Sequence, residues 1–233
     1  SWALRNLNLH IRPGEKIALV GENGSGKTTL VKLIARLYDP VEGRILLDGH
    51  PLSEYNPDDL RREIGVIFQD FVKFQLTAGL NIATGNIQDK NNQEKIDHAA
   101  SMSLADSVVS TLPKGYDQVI GRRFAEGVDL SGGQWQKIAL GRVYMRDAQV
   151  LILDEPTAAL DAKAEHEVFE RFASLSKGKT AFIISHRFST VRMADRILVL
   201  DKGELIESGS HEELMKTEGH YAALFKLQAA GYR

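Results

Sequence analysis

Two stretches of this chain carry residue types that bind phosphate. The first, Gly21-Glu22-Asn23-Gly24-Ser25-Gly26-Lys27-Thr28, fits G-x-x-x-x-G-K-[ST]. In that pattern the backbone N–H groups of a glycine-rich turn surround phosphate oxygens, the lysine reaches the β- and γ-phosphates, and the hydroxyl ligates Mg2+. Thr29, next on the same helix start, adds a further hydroxyl or N–H. The second stretch is Leu130-Ser131-Gly132-Gly133-Gln134, just before the helical residues Trp135, Ile138, Ala139 and Leu140. A serine is a good helix cap, which explains Ser131 without any ligand. Capping does not explain two adjacent glycines, each costing ~1 kcal/mol of helix propensity against alanine; close backbone approach to an anion does. One nucleotide does not easily account for both stretches.

Further candidates sit where apolar runs end. Val150-Leu151-Ile152-Leu153 is followed by Asp154 and Glu155, the pattern of a parallel strand whose C-terminal end faces a ligand crevice. Asp154 would hold the magnesium, directly or through water, and Glu155 would polarise an attacking water. Read alone, the pair is equally two solvated acids at a strand end; behind a P-loop the chemical reading is favoured. Gln69 ends another apolar run, where an amide can sit against Mg2+ or the lytic water, although an isolated glutamine is more often a surface loop residue. His186 follows Ala181-Phe182-Ile183-Ile184-Ser185, so its imidazole could contact the γ-phosphate or orient Glu155. The other six histidines have no such setting.

These residues need strand ends and helix starts to position them, and the hydropathy pattern supplies both. A strand at 16–20 feeds the glycine loop, and Leu30, Leu33, Ile34 and Leu37 recur at helical spacing until Asp39-Pro40. Leu7, Leu9 and Ile11 alternate with polar residues as in a strand, 43–49 reads as an edge strand, and 64–68 reads as a buried strand. Residues 76–141 read as a helical insertion. Strands at 150–153, 180–184 and 196–200, a helix at 162–175, a hairpin at 201–204 and a helix through Tyr221, Leu224, Phe225 and Leu227 complete an α/β pattern.

Lys plus Arg number 29 against 31 Asp plus Glu, so there is no basic field pointing to nucleic acid or anionic lipid as the main partner. The chain has no cysteine, which excludes a disulfide framework and a thiolate metal site. Its longest apolar runs are strand-length, far below the ~20 residues needed to cross a bilayer. It has no initiator methionine and opens in what reads as a strand, so it is expected to be a domain cut from a longer chain.

Taken together, these motifs resemble the nucleotide-binding domain of an ATP-binding cassette (ABC) transporter, over essentially the whole chain. The resemblance implies that residues 21–28 are the Walker A motif, Gln69 the Q-loop, 130–134 the signature, and 151–155 the Walker B strand with its catalytic glutamate. Ala159-Leu160-Asp161 resembles the D-loop and His186 the switch histidine. The implied fold is a P-loop NTPase core with a parallel sheet (1–75 and 142–233), an antiparallel β subdomain, and an inserted α-helical subdomain (76–141) carrying the signature.

The implied activity is Mg2+-dependent ATP hydrolysis powering export, on the cytoplasmic face of a membrane. Two cassettes, expected to be identical, would pack head to tail. Residues 21–29, Gln69, Asp154, Glu155 and His186 would then act from one face, with Ser131, Gly132, Gly133, Gln134 and Asp161 acting on the partner's nucleotide. Coupling helices of transmembrane domains would dock near Gln69, Asp70, Phe71, Val72 and Phe74. Export rather than import rests on the likeness of Leu112-Pro113-Lys114-Gly115-Tyr116-Asp117 and Gly219-His220-Tyr221-Ala222-Ala223-Leu224 to exporter cassettes.

Three departures stand out. The adenine-stacking aromatic is expected upstream of Ser1, since Trp2 comes too late. The segment 121–127 is longer and rearranged relative to the exporter segment that contacts membrane domains. Gly141 stands where alanine is common and is expected to loosen its helix. Two rival classes remain: a translation-associated cassette ATPase, and a regulatory module that binds ATP without hydrolysing it, against which Glu155 and His186 both count. DNA-organising cassettes, with long coiled coils between the two phosphate motifs, are excluded by the 102 positions (130 − 28) separating Thr28 from Leu130.

Overall fold

A computed structural model describes residues 2–123 and 126–231. In chain order the elements are β1 (Lys16–Val20), α1 (Lys27–Ile34), β2 (Leu46–Leu47), β3 (His50–Pro51), α2 (Pro57–Glu63), β4 (Ile64–Ile67), α3 (Ala78–Ala83), α4 (Gln93–Met102), α5 (Ala105–Val109), α6 (Gly132–Tyr144), β5 (Val150–Asp154), α7 (Ala162–Leu175), β6 (Thr180–Ile184), α8 (Phe188–Val191), β7 (Arg196–Asp201), β8 (Glu204–Gly209), α9 (His211–Thr217) and α10 (His220–Gly231). The main sheet has the order β4-β5-β6-β1-β7-β8, and β2 and β3 form a separate antiparallel pair. Strands β5, β6, β1 and β7 run parallel, with Ile17 opposite Phe182 on one side and Arg196 on the other. Parallel strands covered on both faces are apolar throughout; β1, β5 and β6 are buried at every position after the first. The antiparallel β8 is only partly buried.

The chain divides into two compact units, residues 1–64, 149–155 and 178–233 in one and 65–148 and 156–177 in the other, with the boundary passing through β4 after Ile64. In the first unit, helix α1 stops at Ile34 rather than continuing to Asp39-Pro40. Arg36 takes a left-handed conformation (φ 50°), and the Leu37 N–H donates to the Lys32 carbonyl while that of Arg36 donates to Leu33, the Schellman ending that satisfies orphan carbonyls. The Arg36 guanidinium donates to the carbonyls of Tyr55 (2.7 Å) and Ser53 (3.0 Å), tying down a non-glycine residue in that conformation. Leu37 is consequently exposed.

Two strand expectations also need correction. Residues 2–13 form no strand; Leu7, Leu9 and Ile11 are half-buried and Asn8 and His10 exposed, so the alternation reports one-sided packing of an extended segment without a ladder. Of 43–49 only Leu46 and Leu47 pair, because Asp48 and Gly49 (φ 50° and 83°) form the turn into β3.

The core of the second unit gathers Ile82, Ile96, Val108, Ile120, Trp135 and Ile138. Gly141 does not behave as a helix-loosening residue. A Cβ there would meet both γ-carbons of Ile82 at 3.2 Å and Ser103 Oγ at 3.3 Å, so its absence lets α6 approach its neighbours closely. Among the described residues no helix is long and apolar enough to cross a membrane.

Candidate functional site

The glycine loop turns sharply from β1 into α1. Gly21 has φ 150°, and a Cβ on it would lie 2.2 Å from the Leu200 carbonyl oxygen, so no other residue fits beneath the loop. Gly26 caps α1 with φ 105° and makes no side-chain cap bond, leaving the helix's first N–H groups aimed along its axis toward an anion. The loop is propped by the β7–β8 turn, whose Gly203 N–H donates to the Ser25 carbonyl at 3.1 Å. Lys27 is buried, and its Nζ donates to the carbonyls of Gly21 (2.8 Å) and Glu22 (2.9 Å) and to Ser25 Oγ (3.4 Å). Burial lowers its pKa, opposed by the charges of Glu155 and Asp154.

Asp154 ends β5 and is buried, and Thr28 Oγ1 donates to its Oδ2 at 3.2 Å. This pairing of a hydroxyl and a carboxylate is an all-oxygen donor set, which suits a hard cation that completes its shell with water and substrate phosphates. Among the described residues no three His, Asp or Glu side chains cluster as a self-sufficient metal cage. Glu155 follows in a left-handed conformation (φ 48°), of the kind that carries strain at functional sites. Its N–H donates to the Ile184 carbonyl. Its Oε1 lies 2.6 Å from His186 Nε2, with the carboxylate mostly covered and the imidazole half exposed. Thus Lys27, Thr28, Asp154, Glu155 and His186, found by sequence at two strand ends and one helix start, meet in the first unit.

Gln69, 130–134 and Asp161 belong to the second unit. Gln69 is exposed in the turn after β4. Ser131 forms a full capping box: its Oγ accepts the Gln134 N–H at 3.3 Å and Gln134 Oε1 accepts the Ser131 N–H at 2.9 Å. Gly133 has an internal reason as well, because a Cβ there would come within 2.9 Å of the Ala159 carbonyl. A Cβ on Gly132 would touch only Ala159 Cβ, at 3.6 Å, so packing does not require that glycine. Asp161 is the N-cap of α7, accepting the Ala164 N–H at 2.9 Å, and that bond holds its pKa below the usual carboxylate value.

Sequence reading missed Gln136. Buried on α6 beside Trp135, it accepts the Ala159 N–H at 2.8 Å through Oε1, joining the start of α6 to the 159–161 loop. A polar residue on the apolar side of an amphipathic helix was the available signal. In the segment 121–127, Phe124 and Ala125 lie outside the described residues. Around them, Arg122 pairs with Asp129 (2.6 Å), the Arg123 N–H donates to Gln75 Oε1 (3.2 Å), and Glu126 pairs with Lys114 (2.6 Å).

Comparison with known proteins agrees with this geometry. The family profile described as ABC transporter matches residues 4–158. An ATP-dependent lipid A-core flippase of Alkalilimnicola ehrlichii is 46% identical over 230 residues, 99% of this chain and 38% of that protein. The subtilin transport ATP-binding protein SpaT of Bacillus subtilis is 45% identical over 214 residues, 92% of this chain and 35% of that protein. A solved structure of a bacterial Atm1-family ABC exporter with ATP bound superposes with a TM-score of 0.90 at 37% identity, covering 97% of this chain and 39% of that one. The chain therefore spans under two fifths of the length of the curated relatives it matches. A glycine loop, a paired hydroxyl and carboxylate, a glutamate against a histidine, and matches of this extent lead to one assignment: the chain belongs to the ABC transporter family.

Proposed function

We propose that this chain is an ATP-hydrolysing cassette that powers export across a membrane, working from the cytoplasmic face. The observation that carries the reading is the 2.6 Å contact between Glu155 and His186, beside a glycine loop whose lysine is already within the field of both Walker B carboxylates. Lys27 exchanges its bonds to the Gly21 and Glu22 carbonyls for phosphate oxygens. Thr28 and Asp154 would hold a Mg2+ ion, with Gln69 as a further ligand, and that ion would offset phosphate charge. Glu155 accepts the proton of the water that attacks the γ-phosphorus, and the bond from the γ-phosphorus to the bridging oxygen breaks to give ADP and phosphate. His186 holds the carboxylate in line through Nε2. The 76–141 region serves as the helical subdomain, presenting Ser131, Gly132, Gly133, Gln134 and Asp161 to the nucleotide of a second, identical cassette. Val72 and Phe74, both exposed, serve with Gln69 as the dock for transmembrane domains. Relatives of nearly equal identity are named for lipid A-core and for subtilin, which supports a cassette whose sequence follows ATP chemistry and leaves cargo to other segments.

The test is Glu155→Gln. It retains ATP binding, slows turnover by at least ~10²-fold as expected for loss of a general base, and accumulates an ATP-bound pair of cassettes. Hydrolysis at the original rate by that variant removes Glu155 from the role.

A further inference from the structure

The turn between β6 and α8, residues 185–188, carries His186 and is braced from one side by the C-terminal helix. A cavity of ≈ 450 Å3 lies there, lined by Gly21, Asn23, Ser185, His186, Phe188 and Gln228 among others. Phe188 packs edge-on against Tyr221 (centroids 5.4 Å apart) and Phe225 (5.0 Å) of α10. Gln228 follows Phe225 by three positions and so shares its helix face. Its Nε2 donates to the His186 carbonyl at 2.6 Å, and its Oε1 accepts the Phe188 N–H at 3.4 Å. One amide therefore spans both peptide groups flanking Arg187, the N-cap of α8, which itself makes no side-chain cap bond. A further local tie is Ser185 Oγ, which accepts the Arg187 N–H at 3.0 Å.

The His186 side chain is 49% exposed, so packing does not hold its ring. Its place against Glu155 is inherited from its backbone, and the backbone is held by the amide of Gln228. The geometry points to Gln228 as a positioning residue for hydrolysis, clamping the 186–188 turn from α10 so that His186 stays within hydrogen-bond reach of Glu155. This rests on the roles given to His186 and Glu155 above. It adds a dependence of the ATPase rate on the last turns of α10. A misplacement of ~1 Å at such a group can cost as much as 10²-fold in rate. A turn that keeps its Ser185 bond and its Phe188 packing is expected to lose less, about tenfold.

The experiment measures steady-state ATPase rates and equilibrium ATP binding in the intact protein that carries this chain. Gln228→Met keeps side-chain length and loses both bonds; kcat falls about tenfold while ATP affinity stays within twofold. Gln228→Glu keeps an acceptor for Phe188 and loses the donor to His186, so it falls with Gln228→Met. Leu224→Ala, on the same helix and packed on the same cluster, lowers the unfolding temperature and leaves kcat within twofold. Wild-type kcat in Gln228→Met overturns the proposal, as does an equal loss in Leu224→Ala, which would make α10 a packing element only. His186→Ala in the same assay separates the two levels. At full rate it refutes the role of His186 itself; if it is slow while Gln228→Met is fast, only the clamp fails.

Discussion

Arg142 offers the sharpest quantitative test of how the helical unit is held together. From α6 its Nε donates to the Asn81 carbonyl (3.1 Å), its Nη2 to Asn81 Oδ1 (3.0 Å) and its Nη1 to the Val72 carbonyl (2.8 Å), with the guanidinium 4.9 Å above the Phe74 ring. Hydrogen bonds to a charged group contribute ~1.5–3 kcal/mol each, so the three together are worth ~4.5–9 kcal/mol. Against this stands burial, which pushes the guanidinium pKa down from its ordinary value to about 10, a cost of ~3 kcal/mol at 1.36 kcal/mol per decade. Attraction wins, and Arg142→Met is expected to destabilise by roughly 3 kcal/mol; at ~2–4 °C per kcal/mol for a chain of this size, the unfolding temperature drops by ~6–12 °C. Arg142→Lys presents a single ammonium where a planar fork is required and should fall closer to the methionine variant than to wild type. The assay is thermal unfolding followed by circular dichroism, with limited proteolysis at 72–77 as a local readout. A methionine variant within ~2 °C of wild type, or a lysine variant indistinguishable from it, refutes the view that this fork anchors the segment bearing Val72 and Phe74.

Two other outcomes follow from the site. Lys27 has a lowered pKa in the fold, so between that value and 10.5 the unfolded chain binds more protons than the folded one and wild type gains stability as pH rises; Lys27→Met lacks this slope, and urea titrations across the alkaline range should show wild type improving relative to it, whereas parallel curves contradict the burial. Ser131→Ala loses a capping box worth ~1 kcal/mol while Ser131→Asn keeps a cap; both should leave ATP binding to a single chain intact and impair hydrolysis by paired cassettes, with only alanine lowering the unfolding temperature. A large loss of single-chain ATP affinity in either would mean the serine serves its own chain's nucleotide.

The residues that meet in the first unit were legible because each sits at an abrupt change of pattern: an apolar run ending in a carboxylate or imidazole, or glycines interrupting a helix start. β1 and α7 begin and end where periodicity places them, since buried parallel strands and long amphipathic helices are set by burial. Errors arose where backbone geometry is decided by remote partners. Nothing local announces that Arg36 turns left-handed, because the carbonyls that stabilise it belong to Ser53 and Tyr55. Alternation at Leu7, Leu9 and Ile11 reports a covered face and is silent on whether a neighbour completes a ladder. Gln136, Arg142 and Gln228 escaped notice because single polar side chains acquire meaning only from partners 23, 61 and 42 positions away.

Gly133 has a consequence reaching past its own helix. The Ala159 carbonyl oxygen lies 2.9 Å from where its Cβ would be, and the Ala159 N–H is taken by Gln136, so α6 meets the strip of chain leading to Asp161 at two points. The missing methyl works as a gauge block of zero thickness: it sets the separation between the serine-capped tip of α6 and the aspartate that opens α7. Any larger residue at 133 would push both contact points apart at once, so the two can be altered in strength independently, at Ser131 and Asp161, but not in spacing.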